Sequence, residues 1–160
     1  MTAQATEERF VSRRRIPASA AAIFAVLADP ARHQDTEPTD WVRTAIDPVP
    51  ITAVGQVFGM NMFMERAGGH YVMHSRVTAF EPERCIAWAP GMRGADGVVR
   101  PGGWFWRYDL EPAHDGTDVT LTYDWSGTPQ SVRDEIGTPP PFPPEFLDRS
   151  LEALERAADR

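Results

Sequence analysis

The sequence predicts an α+β domain: a strand and a short helix, then consecutive antiparallel strands, then a long C-terminal helix. Three observations carry this expectation. Period-two alternation dominates residues 41–125, as an antiparallel sheet with one covered face demands. Helical periodicity is confined to the ends, where Ile23, Val26 and Leu27 share one face and Leu147, Leu151, Leu154 and Ala158 share another. Too few helices remain for βαβ units, so the last helix is the expected cover for the sheet.

Taken in order, residues 1–7 are polar and expected to fray. Residues 10–16 read as a strand. Ser19 sits where a helix N-cap is needed, and Asp29-Pro30 ends that helix. Residues 31–34 suit one further helical turn, and 35–40 read as loop. Strands follow over 41–46 and 57–65. In the second, Phe58, Met60, Met62 and Met64 face one way while Gly59, Asn61, Phe63 and Glu65 face the other. Gly68-Gly69 turns the chain. The next strand sets Tyr71, Met73, Ser75 and Val77 against Val72, His74, Arg76 and Thr78. Glu81-Pro82-Glu83 makes another turn, and 85–89 is a strand with Ile86 and Trp88 in phase.

Residues 90–103 hold five glycines and two prolines and are expected to form a flexible loop. Beyond them Trp104, Trp106, Tyr108 and Leu110 alternate with charged and aromatic residues. After a His114-Asp115-Gly116 turn, Val119, Leu121, Tyr123 and Trp125 alternate with polar positions. Residues 126–144 contain six prolines and read as a loop. Pro144 suits the start of the last helix. No repeat or linker divides the chain, so 1–160 is expected to be one domain with an ordered core over about 9–158.

Composition excludes several chemistries. Cys85 is the single cysteine, so neither an internal disulfide nor a cysteine-rich zinc site can form. The sequence contains no lysine, which removes Schiff-base enzymes and P-loop NTPases. A net charge of −7 argues against nucleic-acid binding by phosphate neutralisation. Arg13-Arg14-Arg15 before the apolar run at 18–28 superficially suggests a signal peptide, but Glu7, Glu8 and Ser19 interrupt it. The run is also short of the ~20 apolar residues that span a bilayer. A cytoplasmic location and no stable membrane insertion are therefore expected. The same arginines could instead contact anionic lipid, although solvation of a strand face is the simpler reading.

Short motifs occur in a telling order. Ile16-Pro17-Ala18-Ser19 leads into 23–30. Val54-Gly55-Gln56-Val57-Phe58-Gly59-Met60 enters a strand. Val77-Thr78-Ala79-Phe80-Glu81-Pro82-Glu83-Arg84 precedes Ile86-Ala87-Trp88. Trp106-Arg107-Tyr108-Asp109-Leu110-Glu111-Pro112 and 116–125 form the last two strands, and Ser150-Leu151-Glu152-Ala153-Leu154 lies in the final helix. This series resembles the SRPBCC superfamily, which includes START, Bet v 1-like and polyketide cyclase/dehydrase-like proteins. The resemblance implies a helix-grip fold, a curved antiparallel sheet wrapped around a long C-terminal helix with a short N-terminal helical pair. It also implies a cavity for lipid, polyketide, steroid-like or similar apolar ligands, and it fixes no activity. The proline-rich 126–144 segment and Glu37-Pro38-Thr39 depart from the family pattern near the expected mouth.

The inward faces supply the candidate ligand contacts. Phe58, Met60, Met62 and Met64 come from one strand, and Tyr71 and Met73 from its partner. Trp88, Trp106, Tyr108, Tyr123 and Trp125 come from the following strands, and Phe146 and Leu147 from the last helix. Methionine adapts to irregular apolar shapes, and tyrosine and tryptophan add one polar tip each. These side chains either pack as plain core or line a cavity; as a set they favour a cavity. His33 and Asp35 could supply acid–base chemistry, with Tyr108 as a donor, although a solvated loop histidine is the simpler expectation for His33. His70 and His74, four strand residues apart, stand about 13 Å from each other and cannot share a metal. No cofactor or metal is expected. Three functions remain open: a carrier of a small hydrophobic molecule, a cofactor-independent cyclase or dehydratase, and a cochaperone-like interaction domain.

Overall fold

The computed structural model describes residues 4–5 and 8–159. Its elements in chain order are β1 (Gln4–Ala5), β2 (Arg9–Ile16), α1 (Ala20–Leu27), β3 (Val42–Ile46), β4 (Val57–Met64), β5 (Gly69–Glu81), β6 (Cys85–Arg93), β7 (Val99–Pro101), β8 (Phe105–Ala113), β9 (Gly116–Asp124), α2 (Gln130–Ile136) and α3 (Glu145–Ala158). The sheet is antiparallel with strand order β1-β2-β9-β8-β6-β5-β4-β3, and β7 pairs separately with β6. This is the expected α+β helix-grip architecture.

Local chemistry explains the elements at the N-terminal end. The Ser19 hydroxyl accepts from the Ala22 N–H at 3.1 Å and caps α1, as its position in the sequence suggested. The next turn is a 3-10 helix over Pro30–Thr36 rather than an α-helix, with the Asp29 carboxylate accepting from the Ala31 N–H. Gln4–Ala5 lie in the segment expected to fray, yet they pair with β2 at Val11 and Phe10. The rest of residues 1–7 lies outside the described residues.

Two expected loops are partly ordered. Residues 90–103 form a hairpin: β6 runs on through Pro90 to Arg93 and pairs with β7. Glycine reads as a strand breaker, but at Gly91 it is what lets the strands meet. A Cβ there would lie 2.5 Å from the Arg100 carbonyl oxygen. Within 126–144, α2 has no apolar stripe to announce it, and none of its residues is buried. Arg133 anchors it instead, donating to the Glu8 carboxylate at 2.6 Å and to the Thr128 carbonyl at 2.9 Å.

The interior divides into a solid half and an open half. On α3, Leu147, Leu151 and Leu154 are fully buried against Ile16, Ile23, Leu27, Val119 and Leu121. Each such side chain contributes roughly 1.5–3 kcal/mol by leaving water. Phe146 and Ser150, one helical turn apart, face the open half. There β3, β4, β5 and the start of α3 stand apart, and the cavity lies between them.

Candidate functional site: an aromatic and methionine-lined cavity

Sheet register builds the cavity wall. Cross-strand pairing aligns Phe10 with Tyr123, Tyr123 with Trp106 and Trp106 with Trp88, which lays an aromatic band across four strands. On the other limb, Met60 pairs with Met73 and Met62 with Tyr71. The cavity volume is about 490 Å³, within the roughly 300–1,000 Å³ of small-molecule sites. Of the residues selected from the sequence, Phe58, Met60, Met62, Met64, Tyr71 and Met73 line it. Trp88, Trp106, Tyr108, Tyr123 and Phe146 do so as well.

Two selected residues lie elsewhere. Trp125, one residue past the end of β9, keeps the alternation and is buried, but it packs edge-on to Phe10 at 4.9 Å and does not line the cavity. Leu147 is fully buried beside Leu151 in the solid half of the core.

The polar side chains in the cavity are few. Trp41 Nε1 donates to the Tyr71 hydroxyl at 2.6 Å. The Glu37 carboxylate accepts from the backbone N–H groups of Thr39, Trp41 and Val42 and so holds the segment that carries Trp41. Among the described residues no partner satisfies the hydroxyls of Tyr108, Tyr123 or Ser75; the residues are largely buried, and their oxygens open onto the cavity. Burial raises the Tyr108 and Tyr123 phenols well above the ordinary tyrosine range, and burial raises Tyr71 too, against the opposing effect of the Trp41 donor. All of them are therefore neutral O–H donors at physiological pH.

His33 differs from its expected solvated state. It is only 5% exposed, stacks on Trp88 with ring centroids 4.9 Å apart, and meets Phe58 edge-on at 5.3 Å. The 3-10 turn, invisible as a periodic pattern, swings it inward. Its Nε2 lies 2.7 Å from the Leu27 carbonyl oxygen. A carbonyl only accepts, so Nε2 carries the proton and, in the neutral ring, Nδ1 keeps its lone pair. Desolvation lowers its pKa, opposed by the Leu27 bond and the Asp29 charge. Asp35 is exposed and is not the group that holds this ring, so the His33–Asp35 pair considered as a candidate does not form.

Further lining residues were not selected from the sequence. Trp104 and Ser75 were in phase with selected neighbours, so their signal was present. Trp41 lies just before β3, and Met92 on the hairpin read as loop. Glu135, Ile136 and residues 137–139 and 141 close one side of the mouth, with no periodicity to mark them.

Other candidates lie apart. Arg14 pairs with Glu155 at 2.9 Å, and Arg15 with Asp115 at 2.6 Å and with Asp118, so two of the three arginines are charge-paired within the fold. Cys85 is buried, and burial pushes its thiol up to about 11. Among the described residues no group of His, Cys, Asp and Glu could hold a metal, and no helix is long and apolar enough to cross a membrane.

A family model described as polyketide cyclase / dehydrase and lipid transport matches residues 7–159. The chain belongs to that family. A Mycobacterium tuberculosis relative, the uncharacterized protein Rv0088, is 32% identical over 111 residues, which is 69% of this chain and 44% of that protein. The chain thus matches less than half the length of that relative. Solved structures share the fold. A protein from Arthrobacter aurescens superposes with a TM-score of 0.71 at 15% identity, covering 99% of this chain and 91% of its own. Protein CV1439 from Chromobacterium violaceum gives 0.69 at 18% identity, covering 97% and 99%. The polyketide cyclase-like protein Cgl2372 from Corynebacterium glutamicum gives 0.51 at 23% identity, covering 94% and 79%.

Proposed function

We propose that the protein binds a small amphipathic molecule, of lipid, polyketide or steroid-like character, inside this cavity. One observation carries the proposal: an open apolar volume is lined by three hydroxyls, on Tyr108, Tyr123 and Ser75, that have no hydrogen-bond partner among the described residues and face the cavity. A hydroxyl that a bound ligand shuts off from water costs roughly 1–3 kcal/mol if left unpaired, so an oxygen acceptor on the ligand answers a need that filling the cavity creates. Native mass spectrometry of freshly purified protein, repeated after organic extraction, tests it. An extractable adduct supports binding. A clean apo mass together with failure of diverse hydrophobic probes to raise the melting temperature refutes it.

Cofactor-independent cyclisation or dehydration is the second reading, favoured by His33. Its Nδ1 is a neutral base, and Tyr108 is a neutral acid lining the same cavity. Those two groups could move a proton from and to a bound keto compound without a metal. Turnover of a poly-β-keto substrate that is lost in both His33→Gln and Tyr108→Phe supports catalysis. Turnover unchanged in both removes these residues from it.

A further inference from the structure

The charges around the cavity are one-sided. Among the described residues, the only formally charged ones that line it are Glu37 and Glu135. No arginine lines it, and the chain has no lysine to reach in from elsewhere. Arg66, near the mouth, spends its guanidinium on the Pro141 carbonyl at 2.6 Å. The N-terminus of α3, whose first turn contributes Phe146 to the wall, offers little to an anion: the Phe146 and Leu147 N–H groups donate to the Pro143 and Pro144 carbonyls, and Glu145 and Asp148 occupy that turn. His33 is the one remaining candidate cation, and burial against Trp88 and Phe58 favours its uncharged form.

Against this stand the donors. Tyr108, Tyr123 and Ser75 present O–H groups with no acceptor, and Tyr71 receives the Trp41 N–H and keeps its own proton to give. A neutral carbonyl oxygen suits them directly. An ionised carboxylate would also accept those bonds, but it would first lose its hydration in a wall of Met60, Met62, Met73, Trp88 and Trp106, with no cation to compensate.

We infer that the cavity selects uncharged ligands bearing carbonyl-type oxygen acceptors and rejects their carboxylate counterparts, free fatty acids included. The inference rests on the proposed binding function and narrows its ligand class. It sets aside free fatty acids and aromatic carboxylic acids, which are ionised at neutral pH.

The test uses two probes of equal shape, 2-acetylnaphthalene and 2-naphthoate, at about pH 7.5, where the second is ionised. Quenching of tryptophan emission reports binding on the wild-type chain, since Trp41, Trp88, Trp104 and Trp106 all line the cavity. The ketone is expected to bind on the order of a hundredfold more tightly than the carboxylate. Equal affinities, or preference for the carboxylate, overturn the charge selection while leaving the cavity as a binding site. Failure of both probes to quench at millimolar concentration overturns the binding function and the selection together.

Discussion

Replacing Tyr108 by Phe moves stability and binding in opposite directions. The Tyr108 side chain is 4% exposed, pairs across strands with Ile86 and Leu121, and leaves its hydroxyl without a protein partner. Removing the oxygen deletes an uncompensated buried polar group while keeping the ring, so no cavity opens in the packing. Part of the roughly 1–3 kcal/mol desolvation cost is recovered, to the extent that water in the cavity does not already solvate the hydroxyl. A gain of about 1 kcal/mol corresponds to roughly 2–4 °C in a domain of this size. A ligand oxygen bonded to that hydroxyl loses a neutral hydrogen bond worth about 0.5–1.5 kcal/mol, a fall of roughly two- to tenfold in affinity. Calorimetric melting of the apo protein and titration with 2-acetylnaphthalene measure the two effects. A melting temperature lowered by several degrees would mean that the hydroxyl is satisfied inside the fold, and the argument from unpaired donors would fail.

Three other outcomes follow from particular contacts. Leu154→Ala, at a fully buried position in the solid half of the core, should cost about 2–5 kcal/mol by denaturant unfolding and leave the shape of the ligand cavity intact. Gly91→Ala should open the β6–β7 hairpin, because the new methyl meets Arg100 backbone, and amide exchange at Arg93 and Val99 should accelerate. The folded pKa of His33 is depressed below its unfolded value, so the unfolded chain binds the proton more readily. Its contribution to stability is complete above the unfolded value of about 6.5 and is lost as pH falls towards the depressed folded value. His74 titrates with the same sign, so the comparison is between wild type and His33→Gln: the melting temperature of wild type should fall more steeply between about pH 7.5 and 5.5.

Much of the cavity wall was legible because strand alternation is a rigid geometric rule. Met60, Met62, Tyr71, Met73, Trp106 and Tyr123 face inward because the residues between them must face out. The rule gives the face but not the depth along it: Trp125 is buried in phase with Leu121 and Tyr123, yet it packs on Phe10 outside the cavity wall. Helical periodicity identified the buried stripe of α3 but could not divide it, so Leu147 was grouped with Phe146 although they face different halves of the interior. His33 was unreadable for another reason. A 3-10 turn leaves no amphipathic signature, and its inward rotation depends on tertiary contacts with Trp88 and Phe58. The β6–β7 hairpin and α2 are held by a glycine close approach and by Arg133, and neither device has a periodic pattern.

Methionine gives the most direct test of an occupied cavity. Five of the six methionines, Met60, Met62, Met64, Met73 and Met92, line it, and the sixth is Met1. In protein labelled at the methionine methyls, 2-acetylnaphthalene should shift those five resonances at saturation and give proton–proton Overhauser contacts from its rings to Met60, Met62 and Met73. Saturating probe that leaves these methyls unshifted and without such contacts would contradict an internal ligand site.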